Sequence, residues 1–256
     1  MTILESMAYP GGKAGDGVYQ RLISLMPPHD VYIEPFLGGG ALMLRKRPAR
    51  LNIGIDLDPE VIARWQARTA ISGEASGGIA GNDDIAGSIA IHDEARFRFD
   101  IGDGIALLQS YPFTGHELVY CDPPYVLSTR TGRQYRHEMT DPQHMALLDT
   151  IKGLPCMVMV SGYWTALYAE ALRDWHVTSF QAMTRGGRMA TEWLWCNYPA
   201  PVALHDYRYL GEDFRERERI KRKKQRWVNR LHTMPMLERQ ALLGAIAEAW
   251  PPRASP

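Results

Sequence analysis

Short apolar runs alternate with polar, glycine-bearing turns over most of the chain. Val31-Tyr32-Ile33, Leu51-Asn52-Ile53-Gly54-Ile55, Phe97-Arg98-Phe99-Asp100-Ile101, Leu118-Val119-Tyr120, Met157-Val158-Met159-Val160 and the stretch from Trp193 to Tyr198 read as strands. Runs this short, rich in β-branched and aromatic residues and bounded by turn formers, suit strands covered on both faces. Between them, 41–47, 59–68, 104–110 and 166–175 carry helical patterns, and Pro59 suits a first helical position. Strands alternating with helices predict an α/β fold, a Rossmann-like, mostly parallel sheet with helices on both faces. Residues 71–90, rich in Gly, Ala and Ser with weak periodicity, read as a poorly packed insertion, bounded as 69–96.

The end of the chain has a different pattern. From Glu212 to about His232 it reads as one highly charged helix, with Ile220, Trp227 and Leu231 as sparse apolar positions. Pro235 interrupts it, and Leu237 to Ala249 forms a shorter helix. The expected organisation is therefore a domain over 1–211 and a basic helical extension over 212–256.

Charge sharpens that division. The 256 residues carry 29 Lys/Arg and 29 Asp/Glu, a formal net charge of zero. Between Glu212 and Arg230, however, nine Lys/Arg face four Asp/Glu, leaving +5 there and −5 elsewhere. A neutral total thus does not argue against a nucleic-acid partner, because the positive charge is gathered in one segment. Three scattered cysteines, Cys121, Cys156 and Cys196, form no CxxC pair, so no structural zinc is expected. Reduced thiols and an N-terminus without a basic start or apolar stretch suit a cytoplasmic protein. No apolar run approaches membrane-spanning length, so no membrane partner is expected.

The densest chemical signal is Asp122-Pro123-Pro124-Tyr125, directly after a strand. Two prolines fix φ and remove two N–H groups, giving a stiff, extended turn. It holds a carboxylate, two bare carbonyls and an aromatic ring at a strand's carboxyl edge, where open α/β sheets place ligands. Oxygens that accept N–H hydrogens beside a flat ring suit an exocyclic amine on a base. Glu34-Pro35-Phe36-Leu37-Gly38-Gly39-Gly40 forms a strand–glycine turn–helix corner, where backbone approaches a ligand closely. Its spacing departs from G-x-G-x-x-G, which argues against a dinucleotide. Asp56 and Asp103 stand at the ends of the next two strands. Acids there suit a nucleoside-like cation such as S-adenosylmethionine, with a ribose diol for Asp56; taken singly, each suits a helix cap better than a ligand. Tyr9-Pro10-Gly11-Gly12-Lys13 is a further tight glycine turn, ending in a cation suited to the carboxylate of that cofactor.

With these stations in order, the chain resembles the DNA adenine N6-methyltransferases of the Dam-like, D12 class. The resemblance spans about residues 7–200 and includes Asp56-Leu57-Asp58, Val160-Ser161-Gly162-Tyr163 and Glu192-Trp193-Leu194-Trp195-Cys196-Asn197. It implies an S-adenosylmethionine pocket shaped by Tyr9, Gly12, Lys13, Glu34, Pro35, Phe36, Gly38 and Gly40. Asp56 would take the ribose hydroxyls and Asp103 the adenine amine. Asp122 and the Pro123 carbonyl would bind the target N6 amine, Pro124 would stiffen the turn and Tyr125 would stack on the base. No metal is implied. The class commonly carries a sizeable target-recognition insert before Asp-Pro-Pro-Tyr, and the corresponding stretch here is short and poor in aromatic and basic residues. Readers of DNA are instead expected at Arg130, Arg133, Tyr135 and Arg136 and, in the extension, at Arg217, Lys221, Arg222 and Lys224. Cytosine N4, an RNA adenine and a glutamine amide remain alternative targets; a DNA-binding regulator without turnover is the non-enzyme alternative.

Overall fold

A computed structural model describes Lys13, Gly15 and residues 17–73, 95–129, 132, 135–183 and 189–250. The chain falls into two compact units, Met1–Tyr209 and Leu210–Pro256.

The first unit is a mixed α/β fold built on a seven-stranded sheet. Its strands are β1 (Val31–Glu34), β2 (Leu51–Asp56), β3 (Arg96–Ile101), β4 (Glu117–Cys121), β5 (Met157–Gly162), β6 (His176–Met183) and β7 (Met189–Cys196). They lie in the order β3-β2-β1-β4-β5-β7-β6. All pairings are parallel except those of β7, which runs antiparallel to both β5 and β6. Val31 aligns with Leu51 on one side and Glu117 on the other. Strand order thus reverses between β1 and β4, a topological switch point whose carboxyl edge opens a crevice.

Period-two alternation sends successive side chains of the central strands into two separate cores. Tyr32, Leu118, Tyr120 and Met159 enter one, with Leu22, Leu42 and Trp65 from α1 (Val18–Ile23), α2 (Ala41–Arg45) and α3 (Pro59–Gly73). Ile33, Val119, Cys121, Val158 and Val160 enter the other, with Leu108, Leu147 and Leu172. Leu108 lies in α4 (Gly104–Ser110) and Leu147 in α5 (Asp141–Lys152); Leu172 caps the end of α6 (Ala166–Ala171). The cysteines are buried free thiols in these layers, and burial pushes those of Cys156 and Cys196 up to about 12.

The structure adds three elements that the apolar pattern alone does not announce. Helix α1 is one short turn-and-a-half. Helix α5 opens on a capping box, Gln143 Oε1 accepting from Thr140 N at 2.8 Å. Strand β6 is an edge strand with mostly exposed residues, so it carries little hydrophobic signal. In the expected insertion, α3 extends through Gly73 and β3 begins at Arg96; 74–94 lie outside the described residues.

The second unit holds α7 (Phe214–Thr233) and α8 (Met236–Ala249). Asp213 caps α7, accepting from Glu216 N at 2.8 Å. Neither helix contains a buried residue. Among the described residues no helix is long and apolar enough to cross a membrane, and no group of three or more His, Cys, Asp or Glu is arranged to hold a metal.

Candidate active site

The carboxyl ends of β1, β2 and β4 frame a cleft of about 880 Å³, counting its open mouth. Glu34, Gly38, Asp56, Asp103, Asp122 and Tyr135 all line it. Residues far apart in sequence therefore share one space because their strands end at one sheet edge.

The glycine loop forms the floor. Gly38 and Gly40 have φ of 46° and 51°, the left-handed region that disfavours side chains. A Cβ on Gly40 would stand 2.3 Å from the Trp65 ring, which is fully buried. The Trp65 indole N–H donates to Gly38 O at 3.2 Å, so the helix after β2 braces the loop after β1. Gly104 is equally constrained: a Cβ there would meet Pro35 O at 2.1 Å.

The acids around this loop divide their work. Asp56 is buried and accepts from Gly38 N and Asp58 N, both at 2.8 Å, so it ties the β2 end to the glycine loop. Burial raises its pKa, and those two N–H groups oppose the shift. Asp58 takes the cap position at α3, accepting from Glu60 N at 2.9 Å. Asp103 is exposed and caps α4 through Ile105 N at 2.8 Å, which leaves it on the rim. Glu34 is buried at the switch point, accepting from the Tyr32 hydroxyl at 2.7 Å. Burial pushes its carboxyl up to about 8. Lys46 Nζ lies over the Tyr32 ring, 4.1 Å from its centroid, and burial pushes the Lys46 pKa down to about 7.

The Asp-Pro-Pro-Tyr turn forms the opposite wall, with Asp122 and Pro124 lining the cleft. Asp122 Oδ1 accepts from Ser161 Oγ at 3.0 Å and meets Lys13 Nζ at 2.6 Å. Lys13 also donates to Tyr125 Oη at 2.7 Å, and Tyr125 donates to Glu192 Oε1 at 2.6 Å. Burial acts to lower the Lys13 pKa, but the Asp122 and Glu192 carboxylates outweigh it and the ammonium is held strongly. Burial raises the Asp122 pKa, and the Lys13 ammonium opposes that shift.

Several expected residues stand in unexpected company. Lys13, expected at the cofactor carboxylate, meets Asp122 and Tyr125. Tyr125, expected to stack on a base, is 6% exposed; its ring centroid lies 4.5 Å from that of Tyr163 and 6.4 Å from that of Tyr135. Tyr135 lines the cleft, with Phe36 and Tyr120, whereas Tyr125 is not among its lining residues. Arg136, expected on DNA, pairs with Asp58 at 3.1 Å and Glu60 at 3.2 Å, spanning from the segment after β4 to the β2 end. Two acids in reach of one guanidinium explain that placement. Tyr9, Gly12, Arg130 and Arg133 lie outside the described residues. In the second unit, Lys221, Arg222 and Lys224 are exposed on α7, and Arg217 leans on Gly211 O at 3.5 Å and Glu212 O at 3.4 Å.

Sequence reasoning did not assign roles to Trp65, Ser161 or Glu192. Ser161 and Glu192 fall within the later motifs of the resemblance, which was the available signal. Trp65 carries none, because its task depends on the contact with Gly38 and Gly40.

No family model matches the chain, and no curated protein matches it. Among solved structures the chain is similar to precorrin 8w decarboxylase from Methanobacterium thermoautotrophicum, at 15% identity over 72% of this chain and 90% of that one, with a TM-score of 0.41. It is similar to magnesium protoporphyrin IX methyltransferase from Synechocystis PCC 6803, solved with bound SAM, at 13% identity over 71% and 76% of the two chains, with a TM-score of 0.42. It is also similar to M. capricolum TrmK, solved with S-adenosylhomocysteine, at 7% identity over 90% and 95%, with a TM-score of 0.42. Likenesses this distant assign neither substrate nor reaction, and the Dam-like resemblance rests on the chain's own motifs.

Proposed function

We propose that this chain transfers a methyl group from S-adenosylmethionine to N6 of adenine in double-stranded DNA, site-specifically and after base flipping. One observation carries the reading furthest: Asp122 of the Asp-Pro-Pro-Tyr turn and the glycine loop with Asp56 line the same cleft at the switch point.

The residues present fit such a cofactor. Phe36, Gly38 and Gly40 offer backbone and an apolar face, Asp56 and Asp103 offer acceptors, and Glu34 places an acid beneath a cation. Tyr9, Gly12 and Pro35 complete the set the resemblance implies, while Lys13, also implied, stands on Asp122 instead. S-adenosylmethionine, when bound, supplies an activated methyl group on a sulfonium, and no metal is needed. Adenine N6 is a poor nucleophile because its lone pair is delocalised into the ring. Asp122 and the Pro123 carbonyl, accepting its two hydrogens, favour a pyramidal nitrogen and free that pair. Asp122 is also placed to take the proton that the amine sheds. Orientation by the stiff turn contributes up to roughly 7–11 kcal/mol in well-aligned cases. Extrusion of the base costs a few kcal/mol, and stacking returns about 1–3 kcal/mol. Tyr135 and Pro124 are the surfaces suited to that stacking, with Tyr125 anchoring the turn behind them.

Basic residues of α7, Arg217, Lys221, Arg222 and Lys224, supply phosphate contacts in this reading, together with Arg130 and Arg133, which follow the motif in sequence. Affinity should then fall steeply with salt, and deleting 212–256 should flatten that slope; an unchanged slope in a folded deletion removes the tail from the interface. The site of action would be cytoplasmic. The decisive experiment expresses the protein in a methylation-free host and maps modified bases, with nucleoside mass analysis. N6-methyladenine in a defined sequence context is expected. N4-methylcytosine, or methylated RNA with unmodified DNA, replaces this substrate with another, and no transfer to any duplex removes it.

A further inference from the structure

The Lys13 ammonium sits where the target amine is expected to bind. Its Nζ lies 2.6 Å from Asp122 Oδ1 and 2.7 Å from Tyr125 Oη, and its side chain is only 4% exposed. To a carboxylate, an ammonium and an aminopurine amine look alike, since both are nitrogens presenting N–H donors. The ammonium is the stronger donor because it carries charge. An amine that is to be held by Asp122 must therefore displace a better competitor.

Across the lysine stands a second acceptor. Glu192 is buried, and its Oε1 accepts from Tyr125 Oη at 2.6 Å. Its Oε2 is also buried and makes no hydrogen bond among the described residues, yet it lies 3.6 Å from Lys13 Nζ. A buried carboxylate oxygen without a donor is unfavourable, and a shift of roughly an ångström would bring the ammonium into hydrogen-bond range. Tyr125 accepts from Lys13 while donating to Glu192, so the buried cation keeps a partner throughout the move.

We propose that Lys13 occupies the target-amine subsite of the empty enzyme and passes to Glu192 when the amine binds, which makes Glu192 the positioning residue that clears Asp122. The inference rests on the methyltransferase reading above and deepens it. It names an amine-for-ammonium exchange as the step by which an exocyclic amine enters. No proton changes hands: lysine remains an ammonium, and Ser161 continues to donate to Asp122. Neutral ligands without an N–H donor cannot complete the exchange, because they leave Asp122 with less than it had.

The test is a cycle of Glu192→Gln, Lys13→Met and the double variant. KM and kcat are measured on unmethylated DNA from a methylation-free host, and cofactor Kd by calorimetry. Without the receiving charge the ammonium stays on Asp122, so Glu192→Gln should raise KM for DNA tenfold or more while cofactor Kd holds within threefold. Removing the cation as well should return KM to within about threefold of Lys13→Met alone. Glu192→Asp, which keeps the charge, should recover most of the loss. Losses that multiply in the double variant, or an unchanged KM in Glu192→Gln, overturn the exchange while leaving the methyltransferase reading intact. Wild-type protein that binds cofactor but methylates no amine overturns both. If Glu192→Gln fails to fold, the Glu192→Asp and Lys13→Met pair still decides: a KM in Glu192→Asp worse than in Lys13→Met, with equal cofactor Kd, sinks the proposal.

Discussion

The two walls of the cleft are built by different means. The wall from β1, β2 and β3 is mainly backbone: left-handed glycines, N–H groups collected by Asp56, and helix caps at Asp58 and Asp103. The wall from β4, β5 and β7 is a buried knot of side chains: Asp122, Ser161, Tyr125, Glu192 and the incoming Lys13. Backbone walls recognise shape and tolerate little steric change. Side-chain knots hold charge and respond to the loss of a single partner. The difference suits a cleft in which one side cradles a ligand and the other handles a reacting nitrogen.

The sharpest way to break this contrast is Asp122→Ala. Methyl transfer should fall by about 10²–10⁴, with cofactor Kd unchanged, as read with labelled S-adenosylmethionine; near-normal turnover would detach the turn from the chemistry. Asp56→Ala should act on the other wall. It frees two buried N–H groups, each charge-assisted bond being worth about 1.5–3 kcal/mol, so cofactor Kd should rise tenfold or more by calorimetry while kcat at saturation changes little. A Kd that does not move would show the loop to be held without Asp56.

The smallest effect is a pH dependence. Glu34 has a carboxyl pushed up to about 8, chiefly by burial, against an ordinary value of 4.5. A raised folded value means that its protonated form is the favoured one. Its contribution to stability is full below pH 4.5 and is lost as pH climbs through about 8. A cation bound above it draws that value down and expels a proton. Affinity for S-adenosylmethionine should therefore rise with pH across this window, by at most about tenfold per unit. S-adenosylhomocysteine, uncharged at sulfur, should show a flatter profile, as should Glu34→Gln with either ligand. Parallel profiles for the two ligands would place Glu34 outside the reach of the sulfonium.

Much of the molecule was legible before folding, because central strands of a covered parallel sheet are nearly continuous apolar runs and their turns carry glycine or proline. The Gly38–Gly40 loop and the Asp122–Tyr125 turn stood out because rigid or permissive backbone requires particular residues. The elements that escaped notice were those whose stability comes from neighbours. Strand β6 is exposed and pairs along all eight of its residues with β7, so its own pattern is nearly silent. Trp65 looks like any apolar helix position until its indole is found beneath Gly38.

Composition and local pattern were enough to establish an α/β sheet, a separate basic tail and an acid–proline–proline–aromatic turn at a strand end, since those follow from propensity, periodicity and backbone chemistry near each residue. Which partners the charged groups choose was settled by the fold. Lys13 and Asp122 are 109 residues apart, and Tyr125 and Glu192 are 67 apart; nothing local links them. Strand order delivers Asp122, Tyr125 and Glu192 to one edge of the sheet, where Lys13 from the segment before α1 meets them, and burial there makes each charge answer to the others. The pattern of the chain marks an acid-bearing turn suited to an amine, whereas the packing around it shows a lysine on that acid and a glutamate beside it with one oxygen that lacks a hydrogen bond among the described residues.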